Sequence, residues 1–407
     1  MDDESFTFEY APPAMHHGPG IVANLETVLR QQGLSRALII TGSTIAATPA
    51  VLDPVRDGLG SSLIDVFAEV TPEKYLQTAY EGAHLVREKE IDALVPVGGG
   101  SSLDTAKIIS VLAGHDCPLD AVTGEILARE EMLLPPADRA LPELFAIPTT
   151  LPGADLSQVA GVKLSMEPEE TPLADIPSGG VGDQRLMPTA VFYDTELVAT
   201  TPKRILARSA MNGFDKGIEM LYSSHRTPIT DATAMRGLRL LQAGLPSITD
   251  EATSEAALAQ VLQGTALVQY GLSTPRTYRV SIIHAFGHAL TRRYPIQQGV
   301  AHAIAAPHVL DYLFATVDGR RDLLAEALNV GDGARCEQAT AEAVVNAVAA
   351  VRNELELPAR LRNVAEAKQH HFPELAVAVI EDAFMSNAPP DLNPDPSELE
   401  EVFASMW

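Results

Sequence analysis

Residues 97–107 read VGGGSSLDTAK, and this short stretch says the most about the fold. It completes a strand-like run, IDALVPVGGG (91–100), and it leads into a segment with helical spacing. Glycines at such a junction let the backbone approach a ligand closely, and the first turn of the following helix offers unpaired N–H groups to a phosphate. The stretch therefore predicts a site for the pyrophosphate of a dinucleotide. It lacks the GxGxxG spacing of a nucleotide fingerprint, so a purely structural turn is the alternative.

Outward from this stretch, the first half of the chain alternates short apolar runs with helical patterns. Two further strand-like runs are RALIITG (36–42) and ELFAIPTT (143–150), and amphipathic segments such as PEKYLQTAYEGAHLVREKE (72–90) separate the runs. Strands that alternate with helices predict a parallel sheet with crossover helices, here an α/β Rossmann-like domain. The stretch 165–188 is rich in proline, glycine and acidic residues, which predicts an exposed loop or hairpin excursion.

The pattern changes after AVFYDTELVATTP (190–202), the last strand-like run. Helical periodicity then dominates at 204–222, 228–247, 252–271, 279–293, 300–315, 337–355 and 373–386. This half predicts an all-α domain. Because Pro202 marks the change, we expect a nucleotide-binding α/β domain over 1–203 and a helical catalytic domain over 204–407.

The composition limits the class of protein and its partners. The chain has 407 residues, of which 46% are hydrophobic, enough for two or three domains with large cores. Its net charge of −25 would repel nucleic acid and anionic membranes, so we expect a small-molecule substrate and neither of those partners. No stretch resembles a signal peptide or a membrane span, which predicts a cytoplasmic protein. Cys117 and Cys336 are too few for a disulfide framework or a cysteine-based metal site.

The same acidity predicts a halophilic protein. Only seven of the 29 basic residues are lysine, whereas 54 residues are acidic. Surface carboxylates repel one another, and at ~1 M salt the Debye length is only about 3 Å, so the repulsion is screened. We expect the melting temperature to rise when salt increases from ~0.1 M to above 1 M, as thermal denaturation would measure. A flat or falling response would indicate an ordinary acidic protein.

Three motifs together resemble a known family. GGGSSLDTAK is followed by IPTT (147–150) and later by HAFGH (284–288), and this combination resembles the iron-containing alcohol dehydrogenase superfamily. The likeness runs from about residue 7 to the C-terminus. PTTLPGADLS (148–157) is similar in spacing to the corresponding segment of the maleylacetate reductase branch. The resemblance implies the dehydroquinate synthase-like fold, with an active site in the cleft between a nucleotide domain and a helical domain.

The resemblance also implies which residues bind NAD(H) or NADP(H). Those assigned to the cofactor are Gly98, Gly99, Gly100 and Ser101 at the pyrophosphate, Asp104 in the same motif, and Thr149, Thr150 and Leu151 on the adenine and nicotinamide side. Lys107 completes the motif on the following helix. Gly42, Ser43 and Thr44 end the strand where an acidic residue would bind the ribose of NAD and repel a 2′-phosphate.

The histidines of the second half are the candidates for chemistry. His284 and His288 are four residues apart, so they share one face of a predicted helix and suit either metal ligation or proton transfer. Two isolated structural histidines are the alternative. His302 and His308 follow on the next predicted helix, and we expect both to have structural or supporting roles.

The metal ligands implied by the resemblance are largely missing. The four ligand positions are occupied by Asn212, Lys216, His284 and Gln298, and only His284 is a good transition-metal ligand. Asp215 and Glu219, which share a helix face, would offer a different ligand set with His284. We expect no bound metal, since a lysine ammonium has no lone pair to donate.

These observations predict an NAD(P)H-dependent oxidoreductase of the maleylacetate reductase-like branch, and we expect a homodimer. It would reduce the carbonyl or activated enone of a small substrate, with or without a carboxylate. Lys216 and His284 would donate to the substrate oxygen, and His288 would be the proton donor or shuttle. Arg292 and Arg293 stand where that branch has two glycines, which weakens the case for its dicarboxylate substrate. The alternatives are a metal-dependent alcohol dehydrogenase, a lyase or cyclase of the dehydroquinate synthase-like class, and a non-catalytic binding protein.

Overall fold

The computed structural model describes residues 6–115, 117–151, 153–164, 177–249, 253–275, 277–330 and 336–407. The chain divides into two units near Pro202. The first unit contains the described residues from 10 to 201 and also Ser273–Pro275. The second contains residues 6–9, Pro202–Leu272 and the described residues from 277 to 407.

The first unit is built around a sheet of six strands. They are β1 (Ala14–Gly18), β2 (Ala37–Ile40), β3 (Leu63–Phe67), β4 (Ala93–Gly98), β5 (Glu143–Pro148) and, later in the chain, β8 (Ala190–Asp194). Their order is β1-β8-β5-β4-β2-β3, and each neighbouring pair is parallel. Strands β2, β4 and β8 are buried along their whole length, as expected of apolar strands covered on both faces.

Helices cover both faces of this sheet. Along β2, Leu38 and Ile40 join one hydrophobic cluster, whereas Ala37 and Ile39 join another, because successive side chains of a strand point to opposite faces. The helices of the unit are α1 (Leu25–Gln31), α2 (Ser43–Ala46), α3 (Pro49–Leu59), α4 (Leu76–Glu88), α5 (Gly100–Ala113), α6 (Leu119–Arg129) and α7 (Thr195–Ala199). The predicted Rossmann-like α/β domain is confirmed.

One detail of the first unit differs from the sequence prediction, and another agrees with the hairpin alternative. The run 190–202 is a strand only as far as Asp194, because the Asp194 carboxylate accepts the backbone N–H groups of Glu196 and Leu197 and so begins α7. In the predicted excursion 165–188, β7 (Ser178–Gly182) pairs antiparallel with β6 (Val159–Lys163). Residues 165–176 of the excursion lie outside the described residues. A short strand, β9 (Ser273–Thr274), also belongs to this unit.

The second unit is helical. Its elements are α8 (Lys203–Tyr222), α9 (Pro228–Gly244), α10 (Glu255–Gln269), the short strand β10 (Thr277–Tyr278), α11 (Ile282–Arg293), α12 (Gln298–Thr316), α13 (Arg321–Ala327), α14 (Glu337–Glu354), α15 (Phe372–Ile380) and α16 (Pro396–Ser405). The predicted helical domain is confirmed. Helix α16 was missed although its start is well marked, since Asp395 and Glu398 form a capping box and Pro396 takes the first position.

Two glycines allow α8, α11 and α12 to pack closely against one another. A Cβ atom on Gly299 of α12 would lie 1.6 Å from the carbonyl oxygen of Arg208 on α8, so only glycine fits there. A Cβ atom on Gly287 of α11 would lie 2.3 Å from Nε2 of His302 on α12. These glycines set the distances between the helices that carry the candidate catalytic residues. Within the described parts of the chain, none of the helices has the length and apolarity needed to cross a membrane.

Candidate active site

The glycine-rich motif forms the turn between β4 and α5. Gly98 has φ of +142°, and a Cβ atom there would lie 2.6 Å from Oγ of Ser102. Gly99 caps the helix, and its carbonyl oxygen accepts the backbone N–H groups of Ser102 and Leu103. As far as the described residues show, no side chain caps this helix end. The N–H groups of Gly100 and Ser101 therefore lie in the first turn of a helix whose dipole favours an anion.

The other predicted cofactor residues lie on both sides of this turn. Strand β5 neighbours β4, and the Thr149 N–H donates to the Gly98 carbonyl oxygen at 2.9 Å. A Cβ atom on Gly99 would lie 3.2 Å from Oγ1 of Thr150. Leu151 follows and is buried. The structure thus brings Thr149 and Thr150 against the glycine turn.

Gly42, Ser43 and Thr44 lie on the opposite side, after β2. Strand β2 is the other neighbour of β4, and the side chain of Ile45 lies 3.1 Å from where a Gly98 Cβ would be. A Cβ atom on Gly42 would approach the Val70 carbonyl oxygen to 2.8 Å, so a side chain would force a shift there. All three predicted cofactor segments meet at the carboxyl ends of adjacent parallel strands, where α/β sheets bind nucleotides. Their contact with a cofactor stays a prediction.

Asp104 and Lys107 are engaged by the protein itself. The Asp104 carboxylate forms an ion pair of 2.9 Å with Lys74. Lys107 is buried and bonds to backbone carbonyl groups of the loop that follows β5. Both side chains therefore bind other parts of the protein, whatever contact they make with a cofactor.

In the helical unit, His284 is held by residues of α8. The imidazole is 3% exposed, and its Nδ1 bonds to the Glu219 carboxylate. The backbone N–H of His284 donates to the other carboxylate oxygen at 3.1 Å. Its Nε2 lies 3.1 Å from Oδ1 of Asn212. Asn212, Lys216 and Glu219 share one face of α8, so this helix surrounds the imidazole with a neutral amide, an ammonium and a carboxyl group.

Burial sets the charge state of the His284 and Glu219 pair. Burial raises the pKa of Glu219 to about 8. Hydrogen bonds from the backbone of His284, Ser281 and Ile283 act in the opposite direction but are the smaller effect. Burial also holds the pKa of His284 well below 6.5, and the positive charges of neighbouring groups, Lys216 among them, act in the same direction. Burial therefore favours the neutral carboxyl group and the neutral imidazole over a charged pair. With Nδ1 bonded to Glu219, Nε2 is left as the imidazole's hydrogen-bonding edge toward Asn212 or a substrate oxygen.

A second imidazole and carboxyl pair lies behind the first. His302 and Asp215 are fully buried, with Nδ1 of the imidazole 3.4 Å from Oδ2 of the carboxyl group. The His302 ring packs edge-on against the His284 ring at a centroid distance of 4.3 Å. Burial raises the pKa of Asp215 well above its ordinary value and lowers that of His302 well below its own. His302 thus braces the His284 ring, which is a supporting role.

Lys216 is a buried residue of α8, the helix that also carries Asp215 and Glu219. Its side chain is on the same face of α8 as Asn212, and the residue is only 5% exposed. Its positive charge lowers the pKa of both His284 and His302. A buried ammonium is a type of group that stabilises negative charge developing on an oxygen.

His288 is oriented by a residue that sequence reasoning missed. Nδ1 of His288 bonds to Oδ2 of Asp382 at 2.9 Å, and the Asp382 side chain is only 3% exposed. The other Asp382 oxygen accepts the Phe384 N–H at 3.0 Å, and the rings of Phe384 and His288 lie 5.0 Å apart. The carboxylate leaves Nε2 of His288 as the free edge of the ring. Asp382 lies 94 positions after His288, and its only visible feature in the sequence is that it precedes a short helical turn.

The residues present do not fit the divalent metal that the family's name implies. Asn212 and His284, which would both have to face a cation, bond instead to each other, and Lys216 brings a positive charge to the same place. Gln298, at the start of α12, replaces an imidazole with a neutral amide. The alternative ligand set does not converge either, since Glu219 bonds to His284 whereas Asp215 faces His302. Over the described ranges, no group of three histidine, cysteine or acidic side chains is arranged to hold a metal.

His308 has a separate structural role. Its Nδ1 lies 2.9 Å from Oγ of Ser405 on α16. Burial, together with the charges of Arg360 and Arg352, lowers the pKa of His308 from 6.5 to about 4. Since the folded chain binds this proton more weakly than the unfolded chain, the free energy of unfolding should fall as pH drops from 6.5 toward 4.

We therefore expect His308→Gln, which can still accept from Ser405, to reduce the acid sensitivity. Between pH 7 and pH 5, the variant should lose about 1 kcal/mol less free energy of unfolding than the wild type, after allowing for the partial exposure of the imidazole. Urea denaturation at both pH values measures this difference. Equal losses in the two proteins would show that His308 does not contribute to acid unfolding.

Family models match nearly the whole chain. The model for iron-containing alcohol dehydrogenase matches residues 12–195, and the model for the C-terminal part of the Fe-containing alcohol dehydrogenase family matches residues 206–406. These matches cover the α/β unit with its glycine-rich turn and the helical unit with its buried histidines. They identify the protein as an oxidoreductase. The chain belongs to the iron-containing alcohol dehydrogenase family, and the resemblance drawn from its motifs is confirmed.

Individual relatives are distant. The chain is 26% identical over 388 residues to the NAD-dependent methanol dehydrogenase of Bacillus methanolicus, which covers 93% of this chain and 95% of that protein. It superposes on 1,3-propanediol oxidoreductase with a TM-score of 0.86 at 21% identity, covering 99% of this chain and 100% of the other. For maleylacetate reductase from Agrobacterium tumefaciens the TM-score is 0.77 at 20% identity, with coverage of 99% and 98%. Both superpositions confirm the fold.

Proposed function

We propose that the protein is an NAD(P)H-dependent reductase that acts on the carbonyl or activated enone of a small substrate without a bound metal. The observation that carries the proposal is the cluster in the helical unit, where Lys216 lies beside an imidazole that Glu219 orients. It supplies a positive charge and a hydrogen-bond donor at the positions that the family resemblance assigns to metal ligands. The name of the methanol dehydrogenase relative supports a nicotinamide cofactor.

The α/β unit would hold that cofactor. Gly98 to Ser101 would contact the pyrophosphate, Thr149 to Leu151 the adjoining groups, and Gly42 to Thr44 the adenosine ribose. These segments meet at one edge of the sheet and include an uncapped helix N-terminus, which fits a dinucleotide phosphate. When bound, the nicotinamide supplies the hydride.

Three side chains of the helical unit perform the remaining steps. Lys216 and Nε2 of His284 would donate to the substrate oxygen and stabilise its developing negative charge. His288, whose Nδ1 is held by Asp382, would deliver a proton from its free Nε2 edge. Asp382 does not touch the substrate and acts by orienting the imidazole.

The position of Arg292 supports a carboxylated substrate. His284, His288 and Arg292 follow one another at intervals of four residues along α11, and their side chains are 4%, 30% and 64% exposed. The stripe therefore leads from the buried imidazole to an exposed guanidinium, which pairs with the Asp382 carboxylate at 3.6 Å and would also bind a substrate carboxylate. Arg293 is occupied elsewhere, because it donates to His371 at 2.7 Å.

A substrate panel tests the proposal. Aldehydes, oxo acids and maleylacetate would be supplied with NADH or NADPH in metal-free buffer with a chelator, and cofactor oxidation followed by absorbance. We expect net oxidation with a carbonyl compound, and faster reduction of carboxylated than of uncharged aldehydes. Turnover without net cofactor consumption would favour the lyase or cyclase class, and activity that is lost with the chelator would favour a metal-dependent alcohol dehydrogenase.

The sequence after β2 predicts that NADPH is accepted at least as well as NADH. Gly42 stands where a carboxylate would repel the 2′-phosphate, and Ser43 and Thr44 offer hydroxyl donors. Replacing Gly42 with aspartate should lower kcat/KM for NADPH by about tenfold or more, provided that the variant folds despite the nearby Val70 carbonyl. Steady-state kinetics with both cofactors would measure this, and a strict preference of the wild type for NADH would refute it.

A further inference from the structure

Lys107 is a motif residue that the proposed function leaves without a role. It lies on α5, about two turns after the glycine-rich stretch, yet it is only 1% exposed. Its ammonium donates to the carbonyl oxygens of Ala154 at 2.7 Å, Ser157 at 2.5 Å and Val159 at 3.2 Å. Two backbone carbonyl groups of the loop after β5 and one at the start of β6 therefore converge on a single buried charge.

The same loop has a second attachment. Asp155 is buried in the short helical turn Ala154–Leu156, and its carboxylate accepts the hydroxyl of Tyr193. Tyr193 is a buried residue of β8, a central strand of the sheet. The loop is thus held from one side by a helix and from the other by a strand.

This loop continues directly from the predicted cofactor segment. Thr149 is bonded on both sides, since its N–H donates to Gly98 and its carbonyl oxygen accepts the hydroxyl of Thr201 at 2.8 Å. After Leu151 the chain reaches the clamped turn within a few residues. The path of Thr150 and Leu151 is therefore fixed at one end by the sheet and at the other by the loop.

We propose that Lys107, together with the Asp155 and Tyr193 pair, clamps residues 153–159 and so presets the conformation of Thr149 to Leu151 for NAD(P)H. Lys107 is then a positioning residue and not a phosphate ligand. Charge-assisted hydrogen bonds hold the loop in place before the cofactor arrives, so its ordering does not weaken binding. The inference rests on the proposed function, because it takes the cofactor site to be the one described above.

Lys107→Gln tests this clamp, since the amide can keep at most two of the donor contacts and carries no charge. We expect the Kd for NADPH, measured by fluorescence titration of the full-length protein, to rise about tenfold or more. At saturating NADPH, kcat should stay within about twofold, because the reacting groups are untouched. Hydrogen exchange should accelerate in residues 153–160. Lys89→Gln is the matched control, as it removes a lysine paired with Asp65 near the surface of the same unit.

Tyr193→Phe removes the second attachment with the loss of one hydroxyl, and it should raise the Kd and the loop exchange to a smaller extent. Unchanged affinity and exchange in both variants would overturn the clamp. If Lys107→Gln does not fold, unchanged values in Tyr193→Phe alone would do so. A wild-type protein that binds neither NADPH nor NADH would refute the proposed function instead, while hydrogen exchange in the variants would still decide whether the loop is clamped.

Discussion

Lys216→Ala is expected to lower kcat by roughly 10²- to 10³-fold, the effect usually seen when one donor to a developing oxyanion is removed. The ammonium lies close enough to the His284 and His302 rings to lower the pKa of both, and the family resemblance assigns its position to a metal ligand. Without it, the substrate oxygen would keep only the imidazole as donor. Steady-state kinetics in the presence of a chelator would measure the loss.

The control for this variant is Lys203→Ala, which removes a lysine from the first position of the same helix. Its kcat should equal that of the wild type.

Lys216→His should at best begin to restore metal affinity, because Asn212 and Gln298 remain poor ligands. We also expect metal analysis of the wild type to find no stoichiometric zinc or iron, and chelation to leave its activity unchanged. Stoichiometric metal that is lost together with activity would contradict the role given to Lys216.

His288→Gln is expected to lower kcat by about 10²-fold or more, which is the usual contribution of a positioned proton donor. The glutamine amide can occupy much of the same space but does not transfer a proton at neutral pH. Asp382→Asn should lower kcat less, by about tenfold, because the amide can hold the imidazole in a second orientation as well as the productive one. A solvent isotope effect on kcat that shrinks in Asp382→Asn would show that proton delivery had changed.

The matched control for Asp382→Asn is Asp231→Asn. Asp231 is paired with Arg320 at 2.7 and 2.9 Å in the same unit, outside the candidate site. This variant should lower the melting temperature and leave kcat unchanged. Equal kcat in Asp382→Asn and the wild type would mean that the aspartate only stabilises the fold.

The fold was readable because its signals are local. A strand, a glycine-rich turn and a helix follow one another between Ala93 and Ala113, and the change from strand to helix spacing near Pro202 separates the two kinds of unit. The errors came where one side chain changes the backbone path. Asp194 ends β8 and begins α7 with a cap, although the apolar pattern continues beyond it.

The candidate site was only partly readable because its partners are far apart in sequence. The spacing of His284 and His288 could be seen in the chain, but Asp382 lies 94 positions beyond the histidine that it orients. Glu219 is 65 positions before His284, so its pairing with that imidazole required the packed helices. For Lys107 the local motif was misleading. The motif suggested a phosphate contact, whereas the side chain bonds to carbonyl groups of a loop.

The contact between Gly287 and His302 has a consequence for the order in which mutations can be accepted. An alanine in place of glycine would normally stabilise a helix by about 1 kcal/mol, but overpacking costs typically 1–3 kcal/mol, and here the new methyl group would meet an imidazole that is held between two helices. The same alanine should become favourable once His302 has been replaced by a smaller residue. The sign of one substitution thus depends on the other, so only the path that shrinks position 302 first avoids an unstable intermediate. Directed evolution of this protein, and natural drift, would have to pass through that step.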